Sequence, residues 1–120
     1  MKITWVTLHV SDIAESVRFY NTILGLPIER EFGDEDHRIA FLGEPDSAKI
    51  ELVCVKDLKI EDAGKWISVG FPVEELDEKI EHLRGVVKGE IAGPIAPNPG
   101  IRFYYVSDPD GYRVQLYENV

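Results

Sequence analysis

The chain has 120 residues, 44% of them hydrophobic and 29% charged, as expected for one globular domain. Its 22 acidic residues outnumber its 13 basic ones, and the resulting net charge of −9 argues against a nucleic-acid partner because phosphates would be repelled. No apolar run is long enough for a signal peptide or a membrane span, so we expect a cytoplasmic protein with no membrane partner.

The first half of the chain predicts a strand, a helix and three more strands. Residues 2–10 alternate between polar and apolar types, which favours a strand. Asp12 follows as a helix-capping type, and Glu15 stands at the spacing of a capping box. The predicted apolar stripe of the helix consists of Ile13, Val17, Tyr20 and Leu24. Strand-like runs then cover about 28–32, 37–42 and 48–55.

The second half repeats this order. A strand is predicted over 65–71, and a helix with apolar residues at helical spacing ends at Gly85. Those apolar residues are Leu76, Ile80 and Leu83. Strand-like runs follow near 87–92, 101–106 and 112–118. They are separated by the Pro/Gly-rich stretch 93–100 and by an Asp-Pro-Asp-Gly turn over 108–111.

The two halves also match in sequence. Residues 5–8 align with 66–69, each stretch beginning with a tryptophan, and 50–52 align with 114–116. Such an internal duplication predicts an α+β fold of two tandem βαβββ modules, forming a curled mixed sheet around a cleft with the helices outside. The prediction is a single domain over 1–120. Its first module covers about 1–56, its linker 57–64 and its second module about 65–120.

Strand alternation divides the side chains into a core face and a cleft face. The predicted core face consists of Val6, Leu8, Ile50, Leu52, Ile67, Val69, Val114 and Leu116. The predicted cleft face consists of Trp5, Thr7, His9, Glu51, Val53, Trp66, Ser68, Arg113, Gln115 and Tyr117, with Phe103 and Tyr105 adding to the wall. Aromatic walls with a few polar groups are typical of a small-molecule pocket.

Five stretches form a signature that covers nearly the whole chain. They are HVSDI over 9–13, SVRFY over 16–20, ILGL over 23–26, IEL over 50–52 and DPDGYRV over 108–114. With them the sequence resembles the vicinal oxygen chelate superfamily, which contains glyoxalase I, bleomycin-resistance proteins and extradiol dioxygenases. The resemblance implies the fold predicted above and a homodimer. It does not imply one activity, because the superfamily hosts several chemistries.

The resemblance also identifies the positions at which metal-using members bind a divalent ion, commonly with two histidines and two acids. Carried over by position, these are Trp5, Glu51, Trp66 and Gln115. Only Glu51 is a good ligand, because indole offers no lone pair to a metal and a neutral amide oxygen is a poor ligand on its own. A catalytic Ni, Zn or Fe ion needs three or four protein donors. We therefore expect no metal at this place and no cofactor.

One candidate function is small-molecule binding without chemistry, in the manner of the metal-free bleomycin-resistance proteins, which this chain resembles most in character. Trp5 and Trp66 would stack on a planar or cationic ligand. Glu51 and Gln115 would fix its orientation, and the other cleft-face residues named above would complete the site.

The alternatives are an enzyme and a regulatory module. The enzyme would be a lyase or a dioxygenase-type protein that uses Glu51 as its catalytic base, with His9, Arg113 or Tyr117 polarising the substrate. Metal-dependent lactoylglutathione lyase activity is not expected, since that chemistry would lack its electrophile. In the regulatory module, the two indoles would fill and close the cleft.

Overall fold

The computed structural model describes all residues from Met1 to Val120, which form two compact units. Unit 1 comprises Met1–Ile60 and unit 2 comprises Glu61–Val120. Each unit contains a strand, a helix and three further strands in chain order, and each builds its own four-stranded sheet. The predicted α+β fold with two βαβββ repeats is therefore confirmed, while the predicted linker over 57–64 stays a prediction. None of the helices is long and apolar enough to cross a membrane.

Unit 1 forms a mixed sheet in which the first strand lies beside the last. Its elements are β1 (Trp5–His9), α1 (Ile13–Val17), β2 (Ile28–Gly33), β3 (His37–Leu42) and β4 (Lys49–Val55). The strand order is β1-β4-β3-β2, with β1 parallel to β4 and the other neighbours antiparallel. Two parallel strands cannot be joined by a tight hairpin, so the chain reaches β4 through the helix and the β2–β3 hairpin.

Unit 2 repeats the same topology. Its elements are β5 (Ser68–Pro72), α2 (Leu76–Arg84), β6 (Ile91–Asn98), β7 (Ile101–Ser107) and β8 (Arg113–Asn119). The strand order is β5-β8-β7-β6, with β5 parallel to β8. The turn before β8 is held by Asp108, whose Oδ1 accepts from the backbone N–H groups of Asp110 and Tyr112, both at 2.9 Å. This turn was predicted, and it sets where β8 begins.

Helix α1 begins at the predicted cap. Asp12 Oδ1 accepts a hydrogen bond from the Glu15 backbone N–H at 3.1 Å, which satisfies a donor that the first helical turn leaves unpaired. After Val17 the helix continues as a π-helical segment, Arg18–Ile23, whose turns take more residues than α-helical turns. The predicted stripe is therefore only partly right, because the spacing changes within it. The buried side chains are Ser16, Phe19, Tyr20 and Ile23.

The core of each unit is formed by one apolar face of its sheet, mostly as predicted. The predicted core residues that are at most 4% exposed are Leu8, Ile50, Leu52, Val114 and Leu116. Val6 and Val69 are half-buried. Helix α2 contributes the buried residues Leu76, Ile80 and Leu83, at the predicted spacing, and ends at Gly85 as predicted.

The prediction that Ile67 belongs to the core is wrong. Strand β5 begins at Ser68, later than predicted, because Lys65 and Trp66 lie in a turn. The Ile67 backbone N–H closes this turn by donating to the Gly64 carbonyl at 3.1 Å. Ile67 is accordingly 63% exposed, since the alternation of the strand does not extend back to it.

The prediction of a chain break over 93–100 is also wrong. Strand β6 runs through this stretch, and its pairing with β7 is irregular between Ala92 and Asn98. Because β6 is an edge strand, its prolines remove no hydrogen bond that the sheet needs. The Pro/Gly composition therefore marks an irregular edge strand and not a loop.

A cluster of charged residues around Arg102 connects α2 to the sheet of unit 2. No sequence motif predicted it. The Arg102 guanidinium donates to Asp77 Oδ1 and Oδ2 at 2.9 and 3.0 Å and to Glu118 Oε1 at 2.9 Å. The Tyr104 hydroxyl also lies 3.3 Å from Asp77 Oδ1. Hydrogen bonding by Arg102 lowers the pKa of Asp77 below its ordinary value of 3.8.

We expect Asp77→Asn to lower the melting temperature at pH 7 by a few degrees. A carboxyl whose pKa is depressed by folding stabilises the fold above its unfolded pKa and loses that contribution as pH falls through its folded pKa. The difference in melting temperature between the variant and the wild type should therefore become smaller below about pH 4. Thermal unfolding followed by circular dichroism measures this. Glu78→Gln, in the same first turn of α2, is the matched control, and an equal loss there would assign the effect to the helix end instead.

Candidate functional site

One face of the unit 1 sheet carries the predicted cleft residues of that half. Thr7 lies opposite Glu51, Glu51 opposite Phe41, and Phe41 opposite Arg30. Side chains that are opposite one another across a sheet share a face, so these four form one row. A second row consists of His9, Val53, Ile39 and Phe32. Trp5 stands at the start of β1 on the same face and is 51% exposed.

The structure brings Thr7 and Glu51 together. The Thr7 hydroxyl donates a hydrogen bond to Glu51 Oε1 at 2.5 Å. Glu51 is partly exposed, so its carboxylate remains reachable from the sheet face. His9 is exposed on that face, but it lies opposite Val53 and not opposite Glu51.

An aromatic cluster with an arginine occupies the centre of this face. Arg30 Cζ lies 4.7 Å from the centroid of the Phe41 ring and 5.3 Å from that of Phe32. The two phenylalanine rings are nearly parallel, with centroids 6.3 Å apart. Trp5 meets Phe41 edge to face at 5.7 Å. We call these four residues, Trp5, Arg30, Phe32 and Phe41, the aromatic cluster of unit 1.

A β-bulge aims Arg30 at this face. Ile28 lies opposite Leu42, yet Arg30 and not Glu29 lies opposite Phe41, because one extra residue of β2 is accommodated between them. In a regular ladder Glu29 would stand beside Phe41, and Arg30 would point to the opposite face. Arg30, Phe32 and Phe41 were not among the predicted site residues. The spacing of Arg30 and Phe32 put both on one face, but nothing in the sequence indicated which.

A cavity of about 380 Å³ opens beside Trp5 at the end of this face, within the size range of small-molecule pockets. Trp5, Phe41 and Arg30 line it together with the loop between β3 and β4. Lys49, only 8% exposed, holds that loop. Its ammonium donates to backbone carbonyls of the loop, those of Glu44, Pro45 and Ser47, at 2.6, 3.3 and 2.7 Å.

Apart from Trp66, the predicted residues of the second half lie on the sheet of unit 2. Ser68 lies opposite Arg113, and Gln115 lies between Gly70 and Tyr105. The guanidinium of Arg113 stacks over Tyr105 at 4.9 Å. Tyr117 lies opposite Phe103 in the next row. Unit 2 therefore repeats the arginine-on-aromatic arrangement of unit 1 with different strands.

Trp66 is not the structural counterpart of Trp5, in contrast to the sequence alignment of the two halves. Trp5 begins β1 opposite Lys49, and Ser68 begins β5 opposite Arg113. The counterpart of Trp5 is therefore Ser68. Trp66 precedes the strand in a turn and is 91% exposed.

The side chains at the implied metal positions do not suit a divalent ion. Among Trp5, Glu51, Trp66 and Gln115 only Glu51 supplies a charged donor, and it already accepts a hydrogen bond from Thr7. Nowhere in the chain do three His, Cys, Asp or Glu side chains gather closely enough to hold a metal ion. The donor set therefore differs from the nitrogen, oxygen and sulfur sets that bind catalytic metals.

Comparisons with known proteins agree on one family. The family described as the Glyoxalase/Bleomycin resistance protein/Dioxygenase superfamily matches residues 2–116. The chain is 31% identical to the lactoylglutathione lyase of Salmonella typhimurium, over 98% of this chain and 93% of that protein. It is 30% identical to the lactoylglutathione lyase of Haemophilus influenzae, over 99% of this chain and 93% of that protein.

Solved structures show the same fold at lower identity. The Leishmania major glyoxalase I superposes with a TM-score of 0.83 at 23% identity, covering 98% of this chain and 86% of that one. TnmS3, an antibiotic binding protein from Streptomyces sp. CB03234, superposes with a TM-score of 0.71 at 19% identity, covering 100% of this chain and 97% of that one.

We expect the protein to retain well under one Ni²⁺ or Zn²⁺ per chain after incubation with the metal and desalting, because one carboxylate is too few donors. Elemental analysis by mass spectrometry measures this. Glu51→Gln is the matched control. One ion per chain in the wild type that disappears in Glu51→Gln would contradict the expectation.

Proposed function

This chain belongs to the Glyoxalase/Bleomycin resistance protein/Dioxygenase superfamily, and from that premise we propose that it binds a small planar molecule without a catalytic metal. The binding surface is the aromatic cluster of unit 1 with the cavity beside it. The observation that carries the proposal is the half-exposed indole of Trp5, packed against Phe41 at the mouth of a 380 Å³ cavity.

The polar groups on the same face give the ligand an orientation. Glu51 accepts from Thr7 through one oxygen, and a carboxylate has further lone pairs for a ligand donor. His9 adds a polar ring at the far end of β1. In this proposal Trp5 supplies contact area, while Thr7, His9 and Glu51 supply hydrogen bonds.

We extend the proposal to the residues of the second half. Ser68, Arg113, Gln115 and Tyr117 lie on strands of one sheet, where Arg113 stacks on Tyr105. Trp66 is retained as a candidate contact because of its exposure, although its turn gives it a different setting from Trp5. The resemblance to metal-free, bleomycin-resistance-like members and the similarity in fold to an antibiotic binding protein both support binding without chemistry.

The alternative is an enzyme of the same superfamily with Glu51 as its base. It is favoured by the 31% identity to a lactoylglutathione lyase and by the hydrogen bond from Thr7 that orients Glu51. Only a metal-dependent lyase requires a metal electrophile, so the metal-retention measurement above separates that form of the enzyme from the proposed binder. The regulatory module, in which the two indoles fill a closed cleft, stays a prediction.

We expect a planar neutral probe, naphthalene-2-methanol, to shift the indole N–H resonance of Trp5 in a ¹H–¹⁵N spectrum. Trp66→Phe identifies the Trp5 signal, since the chain has two tryptophans. Trp5→Leu should weaken binding about three- to tenfold, the range of a lost aromatic contact, as measured by isothermal titration calorimetry because this variant lacks the Trp5 resonance. Leu58→Ala, which removes an exposed apolar side chain outside the proposed site, is the control. An unchanged Trp5 signal with planar probes of every charge would overturn the proposal.

We also propose a homodimer, as the family resemblance implies. Sedimentation velocity at tens of micromolar protein should give a species of twice the mass of the chain. A species of one chain mass at all concentrations up to that level would reject the dimer, with no consequence for the proposed binding surface of unit 1.

A further inference from the structure

We propose that the ligand of the cavity beside Trp5 is a planar aromatic carboxylate and that Arg30 binds its carboxylate group. This inference rests on the proposed function and specifies the ligand's charge. The sequence alone predicts a planar or cationic ligand. The surroundings of Arg30 instead favour a ligand that is planar and negatively charged.

The charged residues that line the cavity have a net positive charge, opposite in sign to that of the whole chain. The protein as a whole carries −9, yet Lys2, Arg30 and Lys49 line this cavity against only Glu29 and Asp46. A locally positive concave site in an acidic protein favours an anionic ligand over a cationic one.

Of these cations, Arg30 has the most donors left for a ligand. The ammonium of Lys49 is engaged by three backbone carbonyls and lies 3.6 Å from Glu29. Arg30 approaches Glu29 only at 3.9 Å through Nε, and its side chain is 59% exposed. A guanidinium has five N–H donors in a planar fork, which suits a carboxylate.

The Phe41 and Phe32 rings hold that fork in place, and Arg30 occupies the positions over these two rings that a cationic ligand could use. Arg30 lies over both Phe41 and Phe32, so the cation–π positions on these rings are already filled. A ligand cation placed there would meet the guanidinium and be repelled. A ligand anion would meet a cation whose side chain is already ordered, which lowers the entropy cost of binding.

Trp5 explains why the ligand should be planar. Trp5 contacts Phe41 edge to face, at an interplanar angle of 85°. About half of the Trp5 surface remains exposed, and Trp5 lines the cavity. An aromatic ring can stack on the indole while its carboxylate reaches Arg30, which shares the same cavity wall. The bulge in β2 makes this combination possible, because it puts Arg30 and not Glu29 opposite Phe41.

Three probes of one shape test the charge preference. They are naphthalene-2-carboxylate, naphthalene-2-methanol and naphthalene-2-methylammonium, titrated into the full chain while the Trp5 indole resonance is followed. We expect the carboxylate to bind about tenfold more tightly than the alcohol, the size of one charge-assisted interaction. We expect the ammonium to bind most weakly.

Arg30→Met keeps the length and the apolar contact of the side chain but removes its charge. It should weaken binding of the carboxylate about tenfold more than it weakens binding of the alcohol. Arg84→Met is the matched control, since it removes an exposed arginine on α2 and should change neither. Arg30→Lys should restore only part of the affinity, because an ammonium lacks the bidentate fork.

The outcomes separate this inference from the proposed function. If the alcohol and the ammonium bind as tightly as the carboxylate, or if Arg30→Met leaves carboxylate binding unchanged, the inference is overturned while planar binding stands. If none of the three probes shifts the Trp5 resonance, the proposed function fails and the inference fails with it.

Discussion

The parallel pairing of the first and last strand in each unit is the constraint on which the rest of the structure depends. Because β1 runs beside β4 and β5 beside β8, the chain must cross from one to the other through a helix and a hairpin. Alternate side chains of the sheet then point to opposite faces. In unit 1 the face with Leu8 and Leu52 is buried, whereas the other face carries the exposed Trp5 and Thr7 beside the buried Phe41 and Val53.

The candidate site arises where this regular pattern is broken once. A single bulge in β2 puts Arg30 beside Phe41, and the guanidinium then lies over the Phe41 and Phe32 rings. Bulges recur near functional sites because they redirect a side chain without changing the fold. The result is an ordered cation on an aromatic surface, next to a cavity that Trp5 also lines. The parallel strand pairing therefore determines the fold, while the bulge in β2 determines the site.

Much of the fold was predictable because its signals are local. The Asp12 cap and the Asp108 turn are recognisable from residue type and spacing, and both form the expected hydrogen bonds. The errors occurred where the outcome depends on partners distant in sequence. Trp66 and Ile67 continue the alternation of β5 in sequence, but the turn closed at Gly64 removes them from the strand. Strand β6 forms despite its prolines because it is an edge strand, where a missing N–H donor costs the sheet no hydrogen bond.

The site was less predictable for the same reason. Trp5, Thr7 and Glu51 could be grouped because alternation and the family resemblance both place them on one face. Arg30 and Phe41 could not, since their contact depends on a bulge that residue types do not specify. The cluster of Arg102 with Asp77 likewise joins a helix to a strand distant in sequence.

A crystal structure of the protein grown with naphthalene-2-carboxylate tests the central claim most directly. The account predicts electron density for the naphthalene ring against Trp5 and for the carboxylate at Arg30, with no metal ion at Glu51. Density for the ligand away from this face of unit 1, or for an ion coordinated by Glu51, would contradict it.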